Sequence, residues 1–409
     1  MRIYSLLFAC AVLGSAAAPA HAQDGIDAGD LWRRVRHHES PKPEDDATDE
    51  AAPVAPRKPF FVVAPSVGSK PSTGINGGIA GNVAFVSGNS VSTHLSSVSG
   101  GVKVSEKGQT LSGLKLAIFF PDDRWFVQGD NRFSWTSQNT YPLGGATLAS
   151  DAEYLKYDQV RVYETVFRTI GRGLFVGAGV DVNRHSNIRP ASDADQAFDQ
   201  AAYTQYTQQH GFDPSHQTSS GTTASVMYDT RDNAINAHHG TLASLTYRTF
   251  FNGFLGGNST WQEAYLDVRT YRPLTEDGRR RLAFWVLGDF VTGGIAPYFD
   301  LPATSSDSYG RSARGYGEGR YRGNHLLYGE MEFRDTLTAN GLLGYVVFLN
   351  TTTIDGGMGG DHLFETLAPG AGAGLRVLLN KKSRTNLCVD YGWGKQGSRA
   401  LYLAIQEAF

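Results

Sequence analysis

The chain has 409 residues, with 48 Gly, 11% aromatic and only 19% charged residues, and a formal net charge of −3. That balance lacks the basic bias of a nucleic-acid binder, and no stretch reaches the roughly 18 consecutive apolar residues of a membrane helix. With 41% hydrophobic residues the chain can still bury a large surface, which excludes disorder for most of its length.

Met1-Arg2 opens a short charged region, Leu6 to Ala18 is apolar, and Ala20-His21-Ala22 offers small residues where a signal peptidase reads. Residues 1–22 are therefore expected to be a signal peptide, and only Cys388 remains after cleavage, flanked by Leu387 and Val389 as a small packing residue of a strand. Residues 23–59 hold a short amphipathic stretch around Trp32 and then an acidic, proline-rich run, which predicts a flexible periplasmic segment.

From Phe60 to Phe409 the signal is alternation with period two. Ala264, Leu266 and Val268 alternate with Glu263, Tyr265, Asp267 and Arg269; Leu327, Met331 and Phe333 alternate with Tyr328, Glu330, Glu332 and Arg334. Such segments start near 60, 74, 92, 110, 124, 153, 173, 219, 240, 260, 281, 322, 341, 368, 384 and 400. About 22 residues per strand and connection suits an all-β fold, a transmembrane antiparallel β-barrel of about 16 strands over 60–409. The connections at 275–278, 335–340 and 381–383 are short, whereas 186–217 and 295–320 are long and polar, so both long ones are expected on the outer side if the N-terminus is periplasmic.

Three ordered motifs carry further information. Arg314-Gly315-Tyr316 ends the second long loop, just before a strand with an acidic face. Tyr228-Asp229-Thr230-Arg231-Asp232-Asn233 is followed by Gly240 at a strand start. Pro369-Gly370-Ala371-Gly372-Ala373-Gly374, Val389-Asp390-Tyr391-Gly392 and Phe409 mark the last strands. Together they resemble the BamA/TamA superfamily of outer-membrane barrels, the bacterial surface antigen family. The resemblance implies a loop tip folded back into the lumen and held by acidic strand residues, and a family turn at Tyr228, Asp229, Arg231, Asp232, Asn233 and Gly240. It also implies that Phe409, expected on the lipid face, is a C-terminal signal for the machinery that inserts the barrel.

Chemistry alone supports the first implication. A guanidinium at Arg314 can take Glu330, Glu332 or Asp390 as partners through planar, charge-assisted bonds, and glycine at 315 tolerates positive φ and close approach to the wall. Gly370 to Gly374 read as strand glycines packing at the barrel seam, since no helix follows to make them a phosphate loop. The sequence departs from the family pattern at Ala234 and Ala237, where prolines are common, and at Asn350, where an Asp partner for the loop arginine is common. Residues 23–59 are too short for even one of the periplasmic POTRA modules that the family's assembly members carry, which implies a barrel-only member.

The implied function is assisting insertion or translocation of protein or lipid at the outer membrane of a Gram-negative bacterium, without enzymatic activity. Expected partners are outer-membrane lipids, the assembly machinery and a periplasmic chain supplying the missing modules. A passive or loop-plugged channel or structural barrel is the alternative, and an outer-membrane hydrolase stands third. No cofactor is expected. No metal is expected either, because His37-His38, His238-His239 and His362 lie in turns without a third ligand at suitable spacing.

Overall fold

Alternating residues put one apolar and one polar face on each extended segment, and these segments pair next to next. The computed structural model describes residues 59–70, 73–88, 92–191, 198–357, 360–381 and 383–409. The leader, the 23–59 segment except its last residue, and His37-His38 lie outside the described residues. The strands are β1 (Phe60–Lys70), β2 (Gly74–Phe85), β3 (Ser96–Ser105), β4 (Thr110–Phe119), β5 (Trp125–Thr140), β6 (Glu153–Gly171), β7 (Leu174–Pro190) and β8 (Gln217–Asp229). They continue as β9 (Gly240–Phe250), β10 (Trp261–Pro273), β11 (Arg281–Gly294), β12 (His325–Thr336), β13 (Leu343–Asp355), β14 (Leu367–Asn380), β15 (Thr385–Trp393) and β16 (Arg399–Ile405).

Every sequential pair is antiparallel, and the sheet order is β1 through β16 without a crossover. The curled sheet brings β1 beside β16, but among the described residues no ladder of hydrogen bonds joins them. The fold is a nearly closed transmembrane barrel. Strand starts coincide with the sequence reading at six places, and the others differ by four residues or fewer. The first long connection begins later than expected because β7 runs on to Pro190; it carries the helix α1 (Ala202–Gln209). The second spans 295–324.

Alternation sorts the two faces as a bilayer demands. Val102, Leu114, Val226, Leu245, Met331 and Val347 point outward and are exposed. Trp125 and Tyr228 stand out near the short-turn end, and Trp135, Tyr247 and Trp393 near the long-loop end, as interfacial aromatic girdles do. Inward side chains are largely polar and buried, including Asp181, Glu263, Asp267, Glu330, Glu332 and Arg376. Strand backbones satisfy one another, which is the condition for crossing lipid with no edge exposed; only the β1–β16 seam lacks this pairing.

The lumen is packed rather than open over much of its width. Phe119, Phe126, Phe167, Phe175, Met227 and Leu242 form an apolar cluster toward the short-turn end. Nearer the long loops, Tyr203 of α1 packs edge-on against Tyr298 at 5.4 Å, and Tyr206 donates its hydroxyl to the Ala296 carbonyl at 2.8 Å. The helix thus steadies the start of the 295–324 loop.

At the short-turn end, His94 pairs with Asp123, tying the β2–β3 connection to the β4–β5 turn. This hydrogen bond holds the imidazolium and raises His94 above its ordinary 6.5. A base whose folded value is raised contributes stability in full below its unfolded value and loses it as pH rises through the folded one. The barrel's melting temperature should therefore fall as pH rises above the ordinary histidine value of about 6.5, and His94→Gln should flatten that part of the profile. An unchanged slope in the variant would remove His94 as its source.

Candidate functional site

The 295–324 loop turns back into the barrel, and its arginines anchor it. Arg322 donates to the carbonyls of Tyr298 and Leu301 at 2.8 and 3.1 Å. Arg320 reaches Thr147 Oγ1 at 2.8 Å and Gln396 Oε1 at 3.0 Å. Arg314 goes deepest, 1% exposed, and contacts all three candidate carboxylates. Its Nη1 donates to Asp390 Oδ2 at 2.9 Å, its Nε to Glu330 Oε2 at 3.3 Å, and its Nη2 to both Glu330 and Glu332. The guanidinium lies over the Phe348 ring, 3.7 Å from its centroid. A planar cation can hold β12 and β15 together in this way; a spherical ammonium has no equivalent fork.

The backbone of the tip is fixed as closely. Gly315 has φ +110°, and a Cβ there would lie 2.6 Å from the Trp393 carbonyl oxygen. Its N–H donates to the Tyr402 hydroxyl at 3.1 Å, while Ser398 Oγ donates to its carbonyl at 2.7 Å. Tyr316 donates its hydroxyl to the Pro369 carbonyl at 2.5 Å. The glycines of β14 face this tip and not the seam: a Cβ on Gly370 would meet the Arg314 carbonyl oxygen at 2.8 Å, and one on Gly372 would collide with Phe348. The seam expectation for 370–374 is thus corrected; those glycines leave room for the incoming loop.

Asn350 has no charge to offer Arg314, but its Nδ2 donates to the Arg314 carbonyl at 3.0 Å and to Glu330 at 3.3 Å. The amide grips the main chain where a carboxylate would grip the side chain. From Arg314 the ion pairs continue: Arg334 Nε donates to Glu332 at 2.5 Å, and Arg376 bridges Asp390 and Glu407, the latter at 2.7 Å.

Phe409 is not on the lipid face. It is 6% exposed, with its ring 5.2 Å from Trp285, under the Arg334 guanidinium at 4.9 Å, and its main-chain oxygen accepts from Arg334 Nη2 at 3.0 Å. The backbone explains the correction. Gln406 has φ +83°, which ends the extended alternation of Leu401, Leu403 and Ile405 and swings Glu407, Ala408 and Phe409 inward.

Residues beyond the sequence reading complete the arrangement. Arg311 donates to the carbonyls of Ile405 at 3.3 Å and Gln406 at 2.8 Å, and also to that of Glu407. The last residue of β16 and the two after it thus have their carbonyls engaged by a loop side chain. The signal was present as four arginines, 311, 314, 320 and 322, within one loop. On the β1–β5 side the loop leaves a cavity of about 400 Å3, lined by Ser66, Asn82, Ser99, Lys115, Arg132 and Tyr309 among others.

The β8–β9 turn lies at the opposite end of the barrel from the long loops. Asp229 takes the Arg231 N–H at 3.0 Å and its guanidinium at 2.9 and 2.7 Å. Asp232 accepts from the amides of His238 and His239 at 2.8 and 3.1 Å and pairs with Arg384 of the β14–β15 turn. Burial alone would push the Asp232 carboxyl up, but Arg384 and these amides hold it below its usual value. Asn233 caps Ile235 and Asn236, both at 2.8 Å, so side chains close the turn where prolines would otherwise stiffen it. Gly240 has φ +102° with the Thr230 oxygen where a Cβ would stand, and the Tyr228 ring points outward.

No family model matches the sequence, and no curated protein aligns with it. Solved barrels do resemble the structure. BamA from Haemophilus ducreyi lacking POTRA domains 1–3 superposes with a TM-score of 0.55 at 13% identity over 85% of this chain and 69% of that one. CdiB from Escherichia coli gives 0.55 at 13% over 87% and 62%, and CdiB from Acinetobacter baumannii 0.54 at 12% over 85% and 59%. The chain spans about three fifths of either CdiB structure. At these identities the likeness shows the fold.

Proposed function

We propose that this chain is a non-enzymatic barrel of the surface antigen type in the outer membrane of a Gram-negative bacterium, and that it assists the insertion or translocation of protein or lipid there. One observation carries the reading. The sheet begins at β1 and ends at β16 without a ladder between them, and the inward loop meets the end of β16 through Arg311 on the Ile405 and Gln406 carbonyls and through Gly315 on the Tyr402 hydroxyl. A strand edge with no ladder partner, its end resting on a loop side chain, can take another strand in place of both, so a client segment can add to β16 by main-chain pairing. The folds of BamA and CdiB and the three sequence motifs support the same reading. In it the long loops face outside, the short turns face the periplasm, and a periplasmic chain or the assembly machinery meets the turn around Asp232.

Cysteine pairs across the seam test this, one on an outward position of β1 (Val63 or Val67) and one on β16 (Leu401 or Leu403). In vesicles, the reduced barrel should accelerate insertion of an unfolded β-barrel client, scored by protease protection; oxidation should abolish the acceleration and reductant should restore it. Equal rates in both states would sink the seam as the working element. The cavity beside Lys115 and Arg132 favours a passive channel as the second reading; a steady conductance unaffected by the seam disulfide would select it.

A further inference from the structure

The outward face of the barrel breaks its own rule at one place. On β5 the outward row reads Trp125, Val127, Gly129, Asn131, Phe133 and Trp135, with the two tryptophans 45% and 47% exposed. Between them the strand covers about 33 Å, which at a tilt of about 40° spans the apolar band of about 25 Å. Gly129 and Asn131 therefore lie near the bilayer midplane. In register with Gly129 on β6 is Glu164, whose strand neighbours Val162 and Val166 are apolar. Asn131 Nδ2 donates to Glu164 Oε1 at 2.6 Å. A Cβ on Gly129 would sit 2.6 Å from both carboxylate oxygens, so the bare glycine forms the trough in which the carboxylate lies. Exposed Leu114, Phe133, Val160, Val166 and Val180 surround the pair. Among the described residues no other strand places a carboxylate midway along its outward row.

A carboxylate at this depth in hydrocarbon is costly, and ionisable groups in membranes occur where protein covers them. We propose that Asn131 and Glu164 form the centre of a symmetric contact between two copies of this chain, side by side in the membrane. Two barrels inserted in the same sense are related by a two-fold axis along the membrane normal, and the contact is self-complementary. Such an axis between β5 and β6 sets β5 of one copy against β6 of the other. Asn131 of each then faces Glu164 of its partner. Asn131 has a second N–H, and Glu164 has an oxygen, Oε2, outside the bond already made. Two reciprocal hydrogen bonds close the interface, and the flanking valines and Leu114 pack around them. A second copy supplies this donor and acceptor in matching places by symmetry, whereas an unrelated partner would need both independently.

Oxidative cross-linking of the barrel in vesicles at low protein-to-lipid ratio tests the contact. Cys388 is buried and so serves as a silent background. Val162→Cys should form a covalent dimer, and Val347→Cys on β13, on the opposite wall, should give only the collisional level. Adding Asn131→Leu and Glu164→Leu should bring the Val162→Cys yield down to that level; both leucines suit the lipid face, and gel heat-modifiability confirms folding. Equal yields at positions 162 and 347, or a yield unaffected by the leucines, would overturn the proposal. A Val162→Cys adduct of a different mass in native membranes would replace the second copy by another protein. The contact stands apart from the seam, since a monomer that still inserts client would remove only the dimer.

Discussion

Arg314→Ala should be the most damaging single change in the lumen, lowering the heat resistance of the folded barrel and freeing the 295–324 loop to protease. Breaking one partner of a well-desolvated pair costs about 3–5 kcal/mol, and Arg314 is 1% exposed. The three carboxylates would not suffer equally. Glu332 keeps Arg334 and Asp390 keeps Arg376, whereas Glu330 retains only the Tyr328 hydroxyl and the Asn350 amide. Glu330→Gln in the Arg314→Ala background should therefore recover part of the loss, and Arg314→Lys should recover part for a different reason, keeping the charge without the planar fork. Melting on seminative gels and limited proteolysis read both effects. An Arg314→Ala barrel as heat-resistant as the parent would make the arginine an ordinary loop residue.

The second large effect lies on the other face. Met331 opposes Phe284 on β11 and Leu349 on β13 in an outward, apolar row. Met331→Arg should cost about 2–4 kcal/mol if it lies near the midplane, and Val268→Arg and Leu403→Arg should likewise impair insertion. Thr246→Arg should be tolerated better, because Thr246 points into the lumen beside Ser225. Folding yield in lipid vesicles against urea separates the two classes; similar losses for Met331→Arg and Thr246→Arg would mean that the faces are misassigned.

Strands were legible because a bilayer outside and a polar lumen inside impose the same two-residue period over 350 residues. Glu330, Glu332 and Asp390 could be placed on the inner face for that reason, and Arg314 then had somewhere to go. The same extrapolation misplaced Phe409, since it shares parity with Leu403 and Ile405 and nothing in the sequence marks Gln406 as the residue of positive φ. Asn350 was read through charge alone, but what it holds is a carbonyl. Arg311 and its acceptors at the end of β16 and just past it could not be read, because contacts between a loop side chain and a distant main chain leave no period. Glu164 is different: it interrupts Val160, Val162 and Val166 in a strand whose parity the sequence already contains.

The nearest-neighbour order of the sixteen strands has a consequence for how the molecule is made. Each hairpin joins residues close in the chain, so most pairings can form as local events, and only contacts of long sequence separation must wait. The loop that carries Arg314 follows β11, yet its full set of partners includes Asp390 on β15, Tyr402 on β16 and, through Arg334, Phe409. Until those last residues arrive the guanidinium has only part of its cage. The buried ion network is thus a late-forming checkpoint: it reports that the final strands are in place, and a chain stalled before β15 would keep its loop outside the wall.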